Sequence, residues 1–359
     1  FLESTIFGEP GQRVSEAWGG LVWYAAGITK KVLGDIDGGG LRTFAWQLLF
    51  DKEAGLLSVG VRYAIAIVLP IVAYFFFFFG LLEDSGYLPR LAATADRFFK
   101  RMGLSGKAAL PMVLGLGCGT MAVLTTRILE TRKQRLIAIV LLTLGVPCSA
   151  QLGITTAVLA QVSILATLIY AGVILSQIFL VGTIASRLIP GEPADFLLEV
   201  PPMRLPSPRN ILTKTGHRLI WYLKEAVPLF LAGTAILFVT RRLGILGFME
   251  RTLEPVVGGL LGLPREAAQG FLAGFLRRDY GAVMVFDLFK AGTMGANQAL
   301  VALTVITLFV PCLAQFLIIV KEQRIPRAIA IVVFVVVQAI TVGTILNWIL
   351  TLTGLDLAR

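Results

Sequence analysis

Charged residues are scarce in this sequence. Asp, Glu, Lys and Arg make up 15% of its 359 residues, against about 25% in a typical soluble domain. With 56% hydrophobic residues and a mean hydropathy of +0.81, a soluble globular protein is excluded. At about 20 apolar residues per transmembrane helix, the chain has room for roughly seven to nine membrane segments. The predicted fold class is therefore an all-α polytopic membrane protein, and a protein with one membrane anchor is excluded.

Histidine and cysteine are also rare. The single histidine, His217, excludes a histidine-rich metal site and a histidine-based catalytic triad. The three cysteines, Cys118, Cys148 and Cys312, lie in apolar segments and are odd in number, so we expect free thiols. We find no nucleic-acid motif, and we assign the net charge of +10 to basic loops that fix membrane topology. We therefore expect neither an enzyme nor a resident cofactor.

Proline and charge divide the apolar segments into two halves. Residues 1–55 mix charges with short apolar stretches and are predicted to be amphipathic, interfacial helices. Six prolines among charged residues mark 189–224 as an extramembrane linker. The predicted halves are then 56–188 and 225–352, followed by a tail at 353–359.

A short motif recurs in the two halves. Residues 146–151 read VPCSAQ and residues 310–315 read VPCLAQ, at an offset of 164 residues. In each half an interrupted apolar segment precedes the motif, with GCG at 117–119 and RRD at 277–279. Paired interrupted helices in corresponding positions of two halves indicate a transporter with a binding site between repeats.

The Pro-Cys pairs at 147–148 and 311–312 are candidates for chemistry. Proline removes a backbone N–H and so frees the carbonyl four residues earlier, next to a thiol. Thiols suit soft or borderline metal ions, and Ser149, Gln151, Gln315 and the freed carbonyls would add weaker oxygen ligands. Because cysteine is also a common small apolar residue, the residue types alone leave a metal path and a structural role equally open.

Two charged clusters border the apolar segments. Glu83 and Asp84 end the first predicted span, where they either gather cations or form an interfacial turn or helix cap, and we favour the second interpretation. The cluster at 277–279 is interpreted as an ion-pair group that stabilises a helix break.

Loop charge gives part of the topology. The loops 127–135 and 321–327 are the most basic short loops and are expected to face the cytoplasm. About five apolar segments lie between them, so the two loops share a side only if one segment is re-entrant. The interrupted segment 267–289 is the candidate.

Several motifs together resemble the membrane domain of FeoB, the prokaryotic ferrous iron transporter. The resemblance covers roughly residues 57–352, and the motifs match in order and spacing. They are LEDSGYL at 82–88, GLSGK at 103–107, GC at 117–118, TRILE at 126–130, PCSA at 147–150 and PC at 311–312.

This resemblance implies two Gate-type repeats and import of Fe2+ across the bacterial cytoplasmic membrane. The family's proposed iron-path cysteines fall on Cys118, Cys148 and Cys312, so we predict these three residues as metal ligands. Ser149 is predicted as a further ligand, and Glu83 and Asp84 are predicted as ligands under the interpretation in which they gather cations. The resemblance also implies a cytoplasmic G domain in cis or in trans, which would bring GTP and Mg2+, and as further partners small accessory Feo proteins and a homo-oligomer. That G domain is missing from this sequence, which is then a fragment or works with a separate polypeptide.

Two positions depart from the family pattern. Gly119 stands where the family commonly has Asn, and Gln151 stands where it commonly has Arg after Cys-Ser-Ala. These changes are expected to remove an amide and a positive charge near the path. Two other functions stay open: an organic-solute carrier of the nucleoside type, in which the Pro-Cys pairs only shape broken helices, and a membrane scaffold for a G domain that transports nothing.

Overall fold

The structure is a computed structural model, and it describes residues 69–191, 206–220, 223–224, 228, 251–252, 254–309 and 311–353. All regular structure in these ranges is helical, which confirms the predicted all-α class. The predicted interfacial region 1–55, the span near 226–239 apart from residue 228, and residues 354–359 of the tail lie outside the described residues.

The described helices vary widely in length, and several are short. In chain order they are α1 (Leu69–Asp84), α2 (Tyr87–Arg101), α3 (Ala109–Gly117), α4 (Gly119–Thr125), α5 (Arg132–Leu144), α6 (Ser149–Val162), α7 (Ile164–Leu188), α8 (208–220), α9 (Ala267–Leu276), α10 (Arg278–Lys290), α11 (Ala296–Phe309), α12 (Leu313–Gln323) and α13 (Ile325–Thr353).

Four helical spans among the described residues are long and apolar enough to cross a membrane: Arg132–Val162, Ile164–Leu188, Ala296–Gln323 and Ile325–Thr353. The chain is therefore a membrane protein. The predicted total of seven to nine segments also rests on residues outside the described ranges and stays a prediction.

The chain divides into two compact units, one containing α1 and α8 and the other containing the remaining helices. In the smaller unit, part of the predicted linker forms α8 and packs on α1, where Gly80 lies against Ile211 and Thr215. The predicted domain boundaries at residues 189 and 225 stay a prediction.

In the larger unit the same order of elements occurs twice. Two short helices (α3 and α4, then α9 and α10) are followed by a broken long helix (α5 with α6, then α11 with α12). A continuous helix, α7 or α13, comes next after a single joining residue, Ser163 or Arg324. The two predicted repeats with broken helices are thus present in the order of elements.

Glycine contacts show that the short helices of each pair fold back on each other. An ideal Cβ added to Gly281 would lie 2.9 Å from the carbonyl oxygen of Gly270 and 3.0 Å from the Cα of Gly274. In a straight helix, residues eleven apart would be separated by about 16 Å. In the first pair, a Cβ on Gly115 would lie 3.6 Å from that of Ala122. Both interrupted segments are therefore helical hairpins.

This hairpin geometry bears on the predicted topology. The guanidinium of Arg127 makes an ion pair with the carboxylate of Glu322 at 2.5 Å, so the two basic loops lie together. The total number of crossings between those loops also depends on residues outside the described ranges and stays a prediction. The segment predicted to be re-entrant is the one that forms the second hairpin.

The two broken helices form the interior of the larger unit. In the most apolar window of each, 67% of α5–α6 and 65% of α11–α12 is buried, against 22% of α7 and 33% of α13. Large apolar side chains of the continuous helices, among them Leu168, Leu175 and Trp348, are exposed and suit contact with lipid. The helix breaks therefore lie in the buried interior of the larger unit, where a transport path would run, and the continuous helices lie outside it.

Candidate functional site

All three thiols stand where a helix begins. Cys118 is the N-terminal cap of α4, Cys148 that of α6 and Cys312 that of α12. Each has an extended backbone, each carbonyl accepts the first hydrogen bond of its helix, and each cysteine is free and half-buried as a residue. This placement follows from the sequence, because Pro147 and Pro311 end the preceding helices and their cysteines start the next ones.

The thiols also lie near one another. Cys118 is within electrostatic range of Cys148, Cys148 of Cys312, and Cys312 of Cys118. The fold therefore brings the three cysteines together from both repeats. Among the described residues, no group of three or more His, Cys, Asp or Glu side chains has an arrangement that would hold a metal ion. The role of Cys118, Cys148 and Cys312 as metal ligands therefore stays a prediction.

Ser149, the predicted oxygen ligand beside Cys148, is engaged within the protein. Its hydroxyl donates to the carbonyl oxygen of Gly117 at 3.3 Å, and Gly117 is the last residue of α3. The contact ties the first turn of α6 to the tip of the first hairpin, next to Cys118. Ser149 therefore joins two of the cysteine-bearing segments, and its role as a metal ligand stays a prediction.

An arginine donates a hydrogen bond to the backbone carbonyl that Pro147 leaves without a helical partner. Without the proline N–H, the carbonyl of Thr143 has no helical partner. The Arg278 guanidinium donates to that oxygen through Nη2 and to the carbonyl oxygen of Val146 through Nη1 at 3.1 Å. Arg278 begins α10, one residue past the tip of the second hairpin, and is 4% exposed. This carbonyl, predicted as a metal ligand, is therefore held by the other repeat.

Arg278 also changes the charge expected near the path. Its electrostatic neighbours are Cys312, Cys148 and Tyr170. The replacement of the family's arginine by Gln151 was expected to remove a positive charge from this region, and that effect stays a prediction. The fold brings a different positive charge, the guanidinium of Arg278, near Cys148 from the second hairpin.

The tips of the two hairpins have matching backbones but different side chains. Cys118 has φ −150° and ψ 116°, and Arg277 has φ −151° and ψ 120°. The residue after the tip is Gly119 in the first repeat and Arg278 in the second. Gly119 leaves room for another side chain, because an added Cβ would lie 2.7 Å from Oε1 of Gln315. Each tip thus meets the segment around the Pro-Cys break of the other repeat.

A buried polar network around Thr307, four residues before Pro311, also joins the two repeats. The Thr307 hydroxyl donates to the carbonyl oxygen of Leu303 at 2.8 Å. It then has lone pairs for two donors, Nε2 of Gln151 at 3.1 Å and the hydroxyl of Tyr170 at 3.0 Å. Because Thr307 gives away its only proton, the tyrosine hydroxyl must be the donor in this pair.

The network fixes which end of the Gln151 amide is free. Its Nε2 faces Thr307, so Oε1 points elsewhere, and this buried oxygen has no hydrogen-bond partner among the described residues. The Nε2 atom of the equivalent Gln315 is likewise buried without a partner in that part of the chain. The unpaired atom of Gln151 is therefore a hydrogen-bond acceptor and that of Gln315 a donor.

The sequence held a signal for Thr307 that the short motif did not use. The repeat extends toward the N-terminus, because residues 143–151 read TLGVPCSAQ and residues 307–315 read TLFVPCLAQ. Thr143 and Thr307 are the residues whose carbonyls the two prolines free. The partners Arg278 and Tyr170 have no such local signal, since their contacts to the breaks span 132 to 137 residues of sequence.

Glu83 and Asp84 lie in the smaller unit and are paired there. Arg218 bonds to a carboxylate oxygen of Glu83 at 2.6 Å, and Lys214 lies 3.5 Å from Glu83 and 3.6 Å from Asp84. The backbone N–H of Ser207 donates to Asp84 at 2.9 Å. These contacts join α1 to α8 and its preceding turn. They fit the structural interpretation of the pair, and its role in gathering cations stays a prediction.

Comparison with known families supports the fold class. The profile of the Gate family, described as "Nucleoside recognition", matches residues 65–162 and 223–325, which is more than half of the chain. The chain therefore belongs to the Gate family. A second profile, "Ferrous iron transport protein B C terminus", matches residues 166–218 between those two segments. The resemblance to the FeoB membrane domain, predicted from the motifs, is confirmed.

Individual relatives agree with this assignment. "Fe(2+) transporter FeoB" of Staphylococcus aureus (strain COL) is 26% identical over 72% of this chain and 43% of the relative. "Fe(2+) transporter FeoB" of Methanocaldococcus jannaschii is 30% identical over 55% of this chain and 30% of the relative. A "Fe(2+) transport protein A/Fe(2+) transporter FeoB fusion protein" of Porphyromonas gingivalis is 29% identical over 54% and 23%. The chain thus spans less than half the length of these relatives. No solved structure matches the chain.

Proposed function

We propose that this chain is the membrane-spanning part of a ferrous iron transporter and passes Fe2+ along a path at Cys118, Cys148 and Cys312. The observation that carries the proposal is the grouping of these thiols, which come from both repeats and each stand at a helix break. Relatives named as Fe(2+) transporters support the choice of ion. The proposed location is the bacterial cytoplasmic membrane.

The chemistry suits passage rather than storage. Thiolates bind a borderline ion such as Fe2+ more strongly than they bind Mg2+ or Ca2+. A closed cage of three or four thiolates would retain the ion, whereas thiols on three separate helix ends allow it to move between partial ligand sets. The buried, unpaired Oε1 of Gln151, three residues after Cys148, is proposed to supplement the thiols, whereas the unpaired atom of Gln315 is Nε2, which donates and does not bind a cation.

Control of the path is proposed to come from a G domain in cis or in trans. That domain would hold GTP and Mg2+, and its nucleotide state would open or close the path by moving the membrane helices. Accessory Feo proteins and a homo-oligomer are further proposed partners. Ser149, Glu83 and Asp84 remain proposed cation contacts, secondary to the thiols.

Replacing each cysteine with serine tests this function. We expect Cys148→Ser and Cys312→Ser each to lower Fe2+ flux about 10- to 100-fold, because serine keeps the size but loses the strong sulfur ligand. The measurement is anaerobic uptake of radioactive Fe2+ into proteoliposomes, with Mn2+ and Zn2+ as competitors. Ser176→Ala, an exposed hydroxyl on the lipid-facing helix α7, is the control and should leave the flux unchanged.

A second function has one observation in its favour, the "Nucleoside recognition" description of the Gate profile. An organic-solute carrier should transport nucleosides and keep working when all three cysteines are serine. Fe2+ flux that persists in the triple variant would discard the thiol path. Absence of any flux, with and without an added G domain, would favour a scaffold instead.

A further inference from the structure

Arg324, the single residue that joins α12 to α13, has a backbone conformation that suits glycine. Its φ is 67° and its ψ is 154°, and in the part of the chain that the structure describes no other residue except glycine has a positive φ. A residue with a side chain is strained in this conformation. The equivalent joint in the first repeat, Ser163, is extended at φ −172° and ψ 161°. Strain is therefore stored at the second of the two joints and not at the first.

Pro326 explains why the helix must break at this joint. In a helix that continued from α12, the proline ring would clash with the carbonyl of Glu322, four residues earlier. The Arg324 N–H still donates to the carbonyl oxygen of Val320 at 3.0 Å, and the Arg324 carbonyl accepts from the N–H of Ala328 at 3.1 Å. Both helices are thus hydrogen-bonded up to the joint, so the departure from helical conformation falls on this one residue.

An ion pair between the repeats holds α12 two residues before the joint. The Arg127 guanidinium donates through Nε to the two carboxylate oxygens of Glu322, at 3.0 and 3.2 Å, and also through Nη2. Forked contacts of this kind are stronger and more directional than single ones. The Glu322 side chain is only 14% exposed, which limits screening by solvent. The pair connects the turn after α4, in the first repeat, to the last turn of α12.

The same two helices also meet near the thiols. Gly119, the first residue of α4, lies against the side chain of Gln315 in the first turn of α12, because an added Cβ would lie 2.7 Å from its Oε1. This contact is one of packing, and it lies next to Cys312. α12 is therefore held against the first repeat at both ends, by packing at the cysteine end and by the ion pair at the end that carries the strained joint.

We propose that α12 is a latched arm: it pivots on the strained joint at Arg324, and the ion pair between Arg127 and Glu322 holds it in the position described. This inference rests on the proposed function, because α12 carries Cys312 and its movement changes the ligands along the path. When the ion pair opens, the joint relaxes and the released strain favours the moved position. The pair lies at the two basic loops, which are expected to face the cytoplasm, and is therefore within reach of the proposed G domain.

Two substitutions at one position test the strain. Arg324→Gly and Arg324→Ala both remove the guanidinium, but only glycine relieves the backbone. Glycine is also modestly favoured over alanine at any helix N-cap, so Ser163→Gly and Ser163→Ala, at the unstrained joint, supply the baseline. We expect the glycine–alanine difference in the thermal midpoint in detergent to be larger at Arg324 by about 2 °C or more. An equal or smaller difference means that no strain is stored, and it overturns the proposal.

The latch is tested with Glu322→Gln, which keeps the size of the side chain and removes its charge. In a chain whose only cysteine is Cys312, we expect this variant to raise the rate of modification by a neutral maleimide about fivefold or more. In a chain whose only cysteine is Cys148, the rate should stay unchanged, because α6 has no charged residue and ends at the unstrained joint. Adding Arg324→Gly should return the rate at Cys312 toward that of the parent, because no strain then drives α12 away.

A double-mutant cycle separates the ion pair from the other contacts of Arg127. We expect Arg127→Gln and Glu322→Gln to be non-additive at Cys312, because one ion pair can open only once, and additive effects would overturn the latch. Glu322→Gln should also raise Fe2+ uptake by the chain alone about fivefold. The comparison at Arg324 needs no change at the ion pair, so it holds even where Glu322→Gln fails to fold.

The outcomes separate the two proposals. Equal rates at Cys312 in the parent and in Glu322→Gln, or equal increases at Cys312 and Cys148, overturn the latch while Fe2+ transport stands. Faster modification of Cys312 with unchanged Fe2+ uptake overturns the link between α12 and the path. Thiol rates and stabilities as expected, with no Fe2+ flux in any variant even with a G domain, overturn the proposed function and leave the strained hinge in place.

Discussion

Replacing Gly281 with valine should disrupt the second hairpin and with it the folded larger unit. A Cβ at this position would lie 2.9 Å from the backbone oxygen of Gly270 and 3.0 Å from the Cα of Gly274. Neither is a flexible side-chain end, so the two limbs would have to separate. We expect a loss of about 3 kcal/mol or more, at the upper end of overpacking effects. Thermal unfolding in detergent measures it.

The matched control is Gly153→Val. Gly153 also lies inside a helix, α6, but an added Cβ would meet nothing within 4 Å. The control has the same change in helix propensity and no clash, so it should cost less than about 1 kcal/mol. Equal losses in the two variants would mean that the limbs of the hairpin do not pack as described.

Much of this architecture could be predicted from proline and glycine. Pro147 and Pro311 locate the two breaks, because a proline cannot continue the backbone ladder of a helix. The offset of 164 residues relates them as repeats, and the cysteines beside them were expected to act together. The interrupted segment 267–289 was also expected to differ from a spanning helix. These features are local or periodic in the sequence, which is why they were accessible.

The partners of the breaks could not be predicted in the same way. The sequence said that Pro147 frees a carbonyl, but a metal ion, water or any donor would satisfy it. Which donor arrives depends on the fold-back of the second hairpin, which is fixed by contacts between Gly270, Gly274 and Gly281. The RRD cluster was interpreted as an internal ion-pair group. Arg277 does pair with Asp279 at 2.6 Å, whereas the Arg278 guanidinium donates to the carbonyl oxygen of Val146 in the first repeat.

The two hairpin tips have the same backbone conformation but carry different side chains. At the position after the hairpin tip, Gly119 admits the amide of Gln315, while Arg278 brings a charge to Cys148. A strictly symmetric pair would present two charges or none. The two hairpin tips therefore contribute differently to the surroundings of the cysteines.

Replacing Thr307 with valine should be the most costly of the conservative changes at the breaks. Valine keeps the shape but removes the oxygen that accepts from Gln151 and from Tyr170. Both donors are then left without this partner in the protein interior, where each unsatisfied group costs about 1–3 kcal/mol, so we expect a loss of roughly 2–4 kcal/mol. Thermal unfolding in detergent measures the loss, and Fe2+ uptake should fall with it because Gln151 is no longer held.

Thr304→Val is the matched control for this prediction. Thr304 lies one turn earlier on α11, is equally buried, and its hydroxyl donates to the carbonyl oxygen of Leu300 at 2.8 Å as that of Thr307 does to Leu303. The same chemical change without cross-repeat donors should cost about 1 kcal/mol or less. Adding Tyr170→Phe to Thr307→Val removes one orphaned hydroxyl, so the double variant should be more stable than the two single losses predict. Strictly additive losses would show that Tyr170 and Thr307 do not interact, and the polar link between the repeats would then have to be sought elsewhere.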